Sequence, residues 1–501
     1  MLFEVFFLFL ILLFVIYFTL IYPEKCVYHA LRSQGIPGEA FVPFIGQIRQ
    51  LKKYRDNDRI MDFYENLVRK HGSTLLFCFG PSLRLMVLDP DIIADVLSRQ
   101  NARFYTKPFI TATVFTPIIG WRNLLVLEGR EHERARRMIN PAFNHQNLKS
   151  MISIITDQTT RTIDSIQSNS TVDLQRFFNT LTLSIIVSSA FGSDLQTNPK
   201  TRTIMTTKFN EVLQAIIYRS LLTVNQVSFL SKLPFWKKDI LDNGHRLISK
   251  FVDEIILDRR QDRSTSLSNG PDLLDLLLSA VDDQGQPFTD EEINHEALAF
   301  VLAGSETTGN LMVWLFHILM THEHVLRACQ EEVDRILPNG IEPTNEHLSD
   351  LVICEAVINE TLRLYQPAPI FVRRCVREHS VGTKNKIRLP VGTNVMINSH
   401  LLHRQPELWP RPLEFDYTRW LRDPKTGLKP KLAHPFAYLP FAAGPRNCIG
   451  QNFALLEAKL MLAMFIQRCR FTLVPGQKIA ADLQITLRTK YGLLAQIDKH
   501  E

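Results

Sequence analysis

A cysteine near the C-terminus stands among residues that suit the binding of a metal cofactor. Cys448 follows Arg446 by two positions and precedes Gly450 by two, in a loop rich in glycine and proline. From Ile449 onward apolar residues recur at spacings of three and four, which predicts a helix. Because the N–H groups and the dipole at a helix N-terminus stabilise a thiolate, this position favours an axial ligand to haem iron. Arg446 could pair with a haem propionate, and the glycines would let the backbone approach the flat ring.

A second set of reactive groups lies earlier in the chain. Thr289 and Glu292 form a capping box that predicts the start of a helix, and an apolar pattern continues past Leu319. Inside this helix Glu306 stands next to Thr307, and a carboxyl group beside a hydroxyl can relay protons through ordered water. The neighbouring glycine and threonine residues weaken a helix, which suggests a functional distortion, although a simple kink would explain them too.

An acid and a base share one helix face between these two regions. Glu360 and Arg363 form an E-x-x-R pair, and this spacing brings the two side chains together as an ion pair. Such a pair is common by chance and carries no functional meaning alone. Its position between the long helix and the cysteine loop gives it weight.

The cysteine loop also fits the pattern F-x-x-G-x-R-x-C-x-G, at Phe441, Gly444, Arg446, Cys448 and Gly450. With this pattern the sequence resembles the cytochrome P450 family of haem-thiolate monooxygenases. The resemblance covers nearly the whole chain and implies a mainly α fold with a small β-rich lobe. Haem b would lie between the long central helix and the helix of the cysteine loop, in a single catalytic domain over residues 51–501.

The resemblance also implies roles for individual residues. Cys448 would be the axial ligand to the iron, and Thr307 with Glu306 would deliver the protons that dioxygen activation consumes. His132 departs from the family, which usually has Trp there, although an imidazole can still donate a hydrogen bond to a carboxylate. A solvated basic helix face is the alternative for His132 and Arg136. The residues implied to bind the cofactor beside Cys448 are Arg446, Arg136, His132, Arg373, Phe441, Gly444 and Gly450.

The E-x-x-R pair has a structural role in the family. Glu360 and Arg363 would bind Arg419 and so hold the haem loop in place. The family commonly has Pro-Glu where Tyr417 and Thr418 stand, which is a second departure.

The N-terminus predicts a membrane anchor over residues 1–22. Val5 to Tyr22 is almost wholly apolar and long enough to cross a bilayer. A cleaved signal peptide would need basic residues before the run and small residues after it, and neither is present. Basic residues follow the run, which leaves the catalytic domain in the cytosol and favours the endoplasmic reticulum membrane. A stiff connector rich in proline and glycine is expected over residues 23–50.

Three further stretches have local patterns. Leu75 to Phe79 and Leu83 to Leu88 predict a β-hairpin. Phe104 to Trp121 is apolar without a period and predicts a loop, which could roof the substrate pocket, pack in the core or touch a membrane. Ser220 to Trp236 ends in aromatic residues followed by lysines, so membrane contact and core packing explain it about equally well.

Composition excludes several classes of function. With 45% hydrophobic residues among 501, the chain can bury a large core. The net charge of +6 is mild and gives no case for nucleic acid as a partner. The seven cysteines are scattered and lack C-x-x-C spacing, which argues against a disulfide framework or a zinc site.

The predicted reaction is the insertion of one atom of dioxygen into a lipophilic substrate, such as a fatty acid, a sterol or a xenobiotic. The resemblance implies that the electrons come from NADPH through a flavoprotein reductase. A haem-thiolate isomerase or dehydratase acting on lipid peroxides is one alternative, and a haem-binding sensor without catalysis is another. The acid–alcohol pair Glu306 and Thr307 argues against the isomerase, which needs no proton delivery to oxygen.

Overall fold

The computed structural model describes residues 2–192, 198–220, 222, 233–265, 267, 270–428 and 430–500. Its helices are α1 (Leu2–Ile16), α2 (Tyr22–Arg32), α3 (Ile48–Asp56), α4 (Ile60–His71), α5 (Pro90–Leu97), α6 (Phe109–Ile119), α7 (Gly129–Ile139), α8 (His145–Ser165), α9 (Leu174–Phe191), α10 (Pro199–Arg202), α11 (Phe209–Ser220), α12 (Lys238–Arg260), α13 (Leu273–Ser279), α14 (Asp290–Thr321), α15 (Glu323–Ile336), α16 (Val352–Leu364), α17 (Ser399–Leu402) and α18 (Gln451–Arg468). Its strands are β1 (Thr74–Phe79), β2 (Ser82–Val87), β3 (Tyr105–Thr106), β4 (Ser170–Asp173), β5 (Ile370–Cys375), β6 (His379–Val381), β7 (Ile387–Leu389), β8 (Asn394–Asn398), β9 (Cys469–Leu473), β10 (Ala481–Leu483), β11 (Leu487–Thr489) and β12 (Leu494–Lys499). The mainly α fold with a smaller β-rich part is confirmed.

The long helix α14 is the centre of the larger hydrophobic core. Its start is the predicted capping box, in which the Thr289 backbone N–H donates to Glu292 Oε2 at 2.8 Å and the Glu292 N–H donates to Thr289 Oγ1 at 3.2 Å. Helices α9, α13, α16 and α18 all contact it. Because neighbours cover it on nearly every side, most of its residues are buried and its apolar residues are not confined to one face.

The glycines of α14 allow close packing of a neighbouring helix. The helix is continuous from Asp290 to Thr321, and the functional distortion expected within it stays a prediction. A Cβ atom on Gly309 would lie 2.2 Å from Asn179 Oδ1 of α9, and one on Gly304 would lie 2.8 Å from the side chain of Ile186. The two glycines therefore let α9 approach the long helix closely.

A mixed five-stranded sheet, in the order β1-β2-β8-β5-β3, forms most of the β-rich lobe. The predicted hairpin is confirmed, with β1 and β2 antiparallel and Leu75 opposite Met86. Strands β2 and β8 are parallel, while β5 and β8 are antiparallel with Arg373 opposite Val395. Arg373 therefore lies on a strand, β5, that is hydrogen-bonded to β8 on one side and to β3 on the other.

The stretch Phe104 to Trp121 is not a loop, and that prediction is wrong. It contains β3 and the helix α6, which begins after Pro108 and ends at Gly120. Apolar residues occupy all faces of α6, so no helical period could be read. Gly120 has a positive φ of 68°, and a Cβ there would lie 2.0 Å from the His295 ring. Of the predicted segment Ser220 to Trp236, residues 221 and 223–232 lie outside the described residues, so its packing or membrane contact stays a prediction.

The N-terminal region is helical and leads into the β-rich lobe. Helix α1 is followed by a π-helical turn over Tyr17–Ile21 and then by α2. Glu24 on α2 accepts a hydrogen bond from the Leu83 N–H at 2.8 Å, which ties α2 to the sheet. Among the described residues, no helix combines the length and the apolar character that crossing a bilayer would require.

Candidate active site

The cysteine loop is a compact turn that ends at the N-terminus of α18. The Cys448 N–H donates to the Phe441 carbonyl oxygen at 2.9 Å, which closes the loop on itself. Helix α18 begins at Gln451 with Gly450 as its N-cap, so the cysteine lies just ahead of a helix, as predicted. Burial raises the pKa of the Cys448 thiol, while the Gly450 N–H and the charge of Arg136 act in the opposite direction. Cys448 is nevertheless accessible to solvent, unlike five of the other six cysteines, which are buried.

Gly444 is required by a close contact with another helix. Its φ is +74°, and a Cβ would lie 1.9 Å from the carbonyl oxygen of Leu97, the last residue of α5. A Cβ on Gly450 would meet Cys448 Sγ at 3.9 Å, an ordinary contact. The structure thus gives Gly444 a packing role in the protein itself, and its contact with a cofactor stays a prediction.

A short accessible face interrupts the buried middle of α14. Ala303 is exposed, and Gly304 and Thr307 are half-buried, although the other residues from 301 to 310 are buried. The Thr307 Oγ1 donates to the Ala303 carbonyl oxygen at 2.7 Å. Glu306 points away from this face into the protein, where it is 8% exposed. Helix α14 packs against α18, the helix that follows Cys448.

Three cationic side chains gather around one carboxylate at the edge of the β-rich lobe. Lys107, Arg373 and Arg446 line a small cavity of about 20 Å³ together with Glu128. The Arg446 guanidinium donates to the Leu127 carbonyl oxygen at 2.6 Å and pairs with Glu128. The backbone N–H of Lys107 donates to Glu128 Oε1 at 2.8 Å, whereas the Lys107 ammonium donates to the Leu125 carbonyl oxygen. Glu128 is the one carboxylate among the residues that line this cavity, so the three cations outnumber it there.

The pKa values in this cluster reflect burial among like charges. Burial first, and then Arg446 and Arg373, lower the pKa of Lys107 to about 7. Burial and the charge of Arg446 lower the pKa of Arg373 to about 10. The pKa of His132 is lowered to about 3 by burial and by the neighbouring cations, so this imidazole is neutral and can serve as an N–H donor. A dianion would relieve the repulsion.

Lys107 was missed by the sequence reasoning. It is the only charged residue in the apolar stretch from Phe104 to Trp121, and that isolation was the available signal.

Arg136 makes contacts that differ from the expected one. Its guanidinium donates to the carbonyl oxygen and to Oδ1 of Asn447, at 2.7 and 2.8 Å, and to Asn140 Oδ1 at 2.9 Å. These bonds tie α7 to the cysteine loop at the residue before Cys448. The predicted contact of Arg136 with a propionate stays a prediction.

The structure brings Glu360, Arg363 and Arg419 together. Arg363 donates to both carboxylate oxygens of Glu360, at 2.8 and 2.9 Å, and both side chains are fully buried. Arg419 Nε lies 3.4 Å from Glu360 Oε1. Two donors not predicted from the sequence complete the carboxylate's shell, the Asp416 N–H and Trp420 Nε1, both at 2.9 Å.

Two more residues connect α16 to the start of the cysteine loop. Gln366 Nε2 donates to the carbonyl oxygens of Leu439 and Pro440, each at 3.0 Å. The Leu439 N–H donates to His403 Nε2 at 2.8 Å. No local pattern in the sequence marks Gln366. These bonds connect the region around the Glu360 network to the start of the loop that holds Cys448.

Comparison with known proteins decides the family. The family model described as Cytochrome P450 matches residues 36–494. The chain belongs to the cytochrome P450 family. Cytochrome P450 709B1 of Arabidopsis thaliana is 30% identical over 92% of this chain and 91% of its own length. Cytochrome P450 3A6 of Oryctolagus cuniculus is 28% identical over 92% and 90%.

A named enzyme and a solved structure are also similar. Cyclooctat-9-en-7-ol 5-monooxygenase of Streptomyces melanosporofaciens is 31% identical over 87% of this chain and 89% of its own length. The crystal structure of the cytochrome P450DA heme domain superposes with a TM-score of 0.79, at 24% identity, covering 93% of this chain and 98% of that one. The chain is therefore a cytochrome P450 monooxygenase with the fold of that family.

The residues present fit the haem that the family implies. An accessible cysteine thiol, a short accessible face on the long helix and a cationic cluster short of anions match a thiolate-ligated iron and two propionate groups. When bound, haem supplies the binding and activation of dioxygen at its iron. Cys448 would hold the iron, and Lys107, Arg373 and Arg446 would hold the propionates, with the neutral His132 as a further donor.

Proposed function

We propose that this cytochrome P450 inserts one oxygen atom from dioxygen into a lipophilic substrate, with electrons that come from NADPH through a membrane-bound flavoprotein reductase. We place it at the endoplasmic reticulum membrane, held by residues 1–22, with its catalytic domain in the cytosol. Fatty acids, sterols and xenobiotics are the substrate classes that this function covers.

The observation that carries the proposal is the acid–alcohol pair on α14. Thr307 lies on the accessible face of this helix. The residue before it, Glu306, carries a buried carboxyl group. Burial raises the pKa of Glu306, which brings a carboxyl group closer to the range in which it can take up and release protons near neutral pH. The pair would hand protons toward the oxygen site while the rest of the helix excludes water.

Apolar side chains near the site support a lipophilic substrate. Ile370 and Phe371 are half-buried on β5, the strand that also carries Arg373. Ile485 is half-buried next to Thr486, whose hydroxyl bonds to Glu306. An apolar wall beside a proton-delivering pair suits a substrate that leaves water when it binds.

Exposed aromatic residues on α1 support the membrane site. The exposed fractions of Phe3 and Phe14 are 79% and 62%, and other large apolar side chains of α1 are exposed as well. A contiguous apolar surface of this kind is typical of a membrane contact or of a protein interface.

The two alternatives make different demands on the protein. An isomerase or dehydratase that rearranges lipid peroxides would need neither NADPH nor Glu306. A haem-binding sensor would bind ligand and form no product. The Glu306 and Thr307 pair therefore favours the monooxygenase.

The test is product analysis with isotopically labelled dioxygen. The haem-loaded protein is incubated with a flavoprotein reductase, NADPH and a lipid extract, and the products are measured by mass spectrometry. We expect a product that carries one heavy oxygen atom and that is lost with Thr307→Ala. The variant Thr321→Ala, in the last turn of the same helix, is the matched control and should keep the product. Loss of lipid peroxides without label or NADPH would instead establish the isomerase.

A further inference from the structure

The carboxyl of Glu306 has one hydrogen-bond donor among the described side chains, the hydroxyl of Thr486. Thr486 Oγ1 donates to Glu306 Oε2 at 3.2 Å. Thr486 lies in the turn between β10 and β11, and the hairpin is tied to α14 because Trp314 Nε1 donates to the Leu487 carbonyl oxygen at 3.4 Å. The contact therefore joins two elements that are far apart in the sequence.

Thr486 is the last member of a continuous chain of buried hydrogen bonds. The Thr489 N–H and Oγ1 donate to Gln175 Oε1 at 3.1 and 3.0 Å. Gln175 Nε2 donates to Asn310 Oδ1. Asn310 Nδ2 then donates to Thr486 Oγ1 at 2.9 Å. The exposed fractions of Gln175, Asn310 and Thr486 are 4%, 0% and 5%, so water does not compete for these groups.

A backbone amide fixes the direction of every bond in this chain. The Thr489 N–H can only donate, so Gln175 must present its oxygen to Thr489 and its NH₂ group to Asn310. Asn310 is then obliged to present its oxygen to Gln175 and its NH₂ group to Thr486. Because Thr486 Oγ1 accepts from an NH₂ group, its own proton is available for the Glu306 carboxylate. Each amide orientation follows from the one before it.

We propose that Thr486 is a positioning residue for Glu306, whose carboxylate it holds in place with a hydroxyl proton aimed by Asn310 and Gln175. The proposal rests on the proposed function of Glu306 in proton delivery. It adds that the acid is held by a hairpin from the C-terminal end of the chain and by α9, and not by α14 alone. The amide groups donate and accept through different atoms, so this chain orients Glu306 and does not itself conduct protons.

Few charged groups act on Glu306. Burial is the largest influence and raises its pKa, while the charge of Arg488 on β11 and the hydroxyl of Thr486 act in the opposite direction. On the α9 side, Asp173 and Arg176 line a cleft of about 1080 Å³ that Glu306 and Arg488 also line. On the α18 side, burial raises the pKa of Glu457 well above its usual range.

The proposal predicts how the protonation of Glu306 changes when the hydroxyl is removed. A hydrogen bond to a charged group favours the charged form, so Thr486→Val should raise the pKa of Glu306 by about one unit or more. Thr486→Ser keeps the hydroxyl and should leave the pKa within a few tenths of a unit of the wild type.

A matched control comes from the far end of the chain. Thr489→Val removes a hydroxyl but keeps the backbone N–H that sets the direction of the bonds, so it should also leave the pKa of Glu306 unchanged.

The measurement is an infrared titration of the carboxyl band in the haem-loaded protein, with Glu306→Gln used to identify the band. An unchanged titration midpoint in Thr486→Val would overturn the proposal, and so would a rise of the same size in Thr489→Val. If Thr486→Val does not fold, Thr486→Ala gives the same comparison with a smaller side chain.

The pH profile of product formation separates this proposal from the function on which it rests. If the infrared midpoint of Thr486→Val rises and the pH profile of product formation shifts to higher pH with it, both the positioning role of Thr486 and the proton-delivery role of Glu306 are supported. If the midpoint rises and the profile does not move, Thr486 positions Glu306 as proposed, but Glu306 does not deliver the protons.

Discussion

Lys107 shows at the scale of one residue how the site is prepared for an anion. Its side chain is surrounded by Arg373 and Arg446, and burial together with these cations lowers its pKa from 10.5 to about 7. A bound dianion would reverse the repulsion and keep the lysine charged. The residue therefore links the loading of the cofactor to pH.

The haem-free protein should become more stable as the pH rises from about 7 toward 10.5, the range between the folded and ordinary pKa of Lys107. In this window the unfolded chain keeps a proton on the lysine that the folded chain has lost, so the unfolded state binds more protons and stability increases with pH. Lys107→Met should remove this contribution to the slope and weaken the retention of haem. The measurement is urea unfolding at several pH values.

Lys384→Met removes an exposed lysine and is the control for the change in net charge. It should keep the wild-type slope. If Lys107→Met also keeps that slope, the folded protein does not hold Lys107 with a lowered pKa, and the cluster is not the anion site described.

The single residues of the site differ in whether the sequence could predict their roles. Cys448 and Glu360 were found because their patterns are local, with every residue within a few positions. Lys107 and Gln366 act through neighbours that the fold supplies, so no local spacing marks them. Gln175 and Asn310 are bonded although they lie 135 positions apart, and only the folded chain brings them together.

At the scale of elements, α16 and the segment that follows it depend on one buried carboxylate. Glu360 accepts from Arg363 on its own helix and from Asp416 and Trp420 of the later segment, so two parts of the chain meet on it. Removing its charge would leave the Arg363 guanidinium buried without an ionic partner.

Glu360→Gln should therefore lower the free energy of unfolding by about 3–5 kcal/mol, the usual cost of breaking a buried ion pair. It should also loosen the loop that holds Cys448 and reduce the haem content. Glu414→Gln is the matched control, because Glu414 pairs with Arg411 at the surface, where the two side chains are 60% and 61% exposed.

An exposed pair of this kind contributes about 0–1 kcal/mol. Chemical unfolding and haem content are measured for both variants. Equal losses in the two would show that the Glu360 network has no special structural role.

Local signals in the sequence decide which elements were predicted correctly. Helix α6 was predicted as a loop because apolar residues lie on all its faces, so that no helical period is visible. The β1–β2 hairpin and the start of α14 were predicted well, because a turn between two apolar runs and a capping box are local signals. The close approach of α9 to the glycines of α14 depends on packing between distant segments, which local spacing does not show.

At the scale of the whole molecule, α1 stands apart from the body, which begins to pack at α2. Val27 and Leu31 of α2 are buried, whereas α1 exposes a set of aromatic side chains. The body is therefore expected to fold without α1.

Deletion of residues 2–16 should abolish binding to phospholipid vesicles and leave the haem content and thermal unfolding of the body unchanged. A full-length variant with Phe3, Phe6 and Phe14 replaced by Ser separates the apolar surface from the length of the segment, and it should also bind weakly. Flotation with vesicles measures both. If the shortened chain floats with the vesicles as well as the full chain does, α1 is not the membrane anchor.

Cys448 is expected to hold a haem iron as a thiolate, and the carbon monoxide difference spectrum of the reduced protein reports on this bond. A thiolate ligand shifts the main absorption band of the carbonyl complex strongly to longer wavelength. We expect this band in the wild type and in Cys469→Ser, a buried cysteine on β9, and its loss or replacement by the unshifted band in Cys448→His. A shifted band that persists in Cys448→His would show that Cys448 is not the thiolate ligand of the iron.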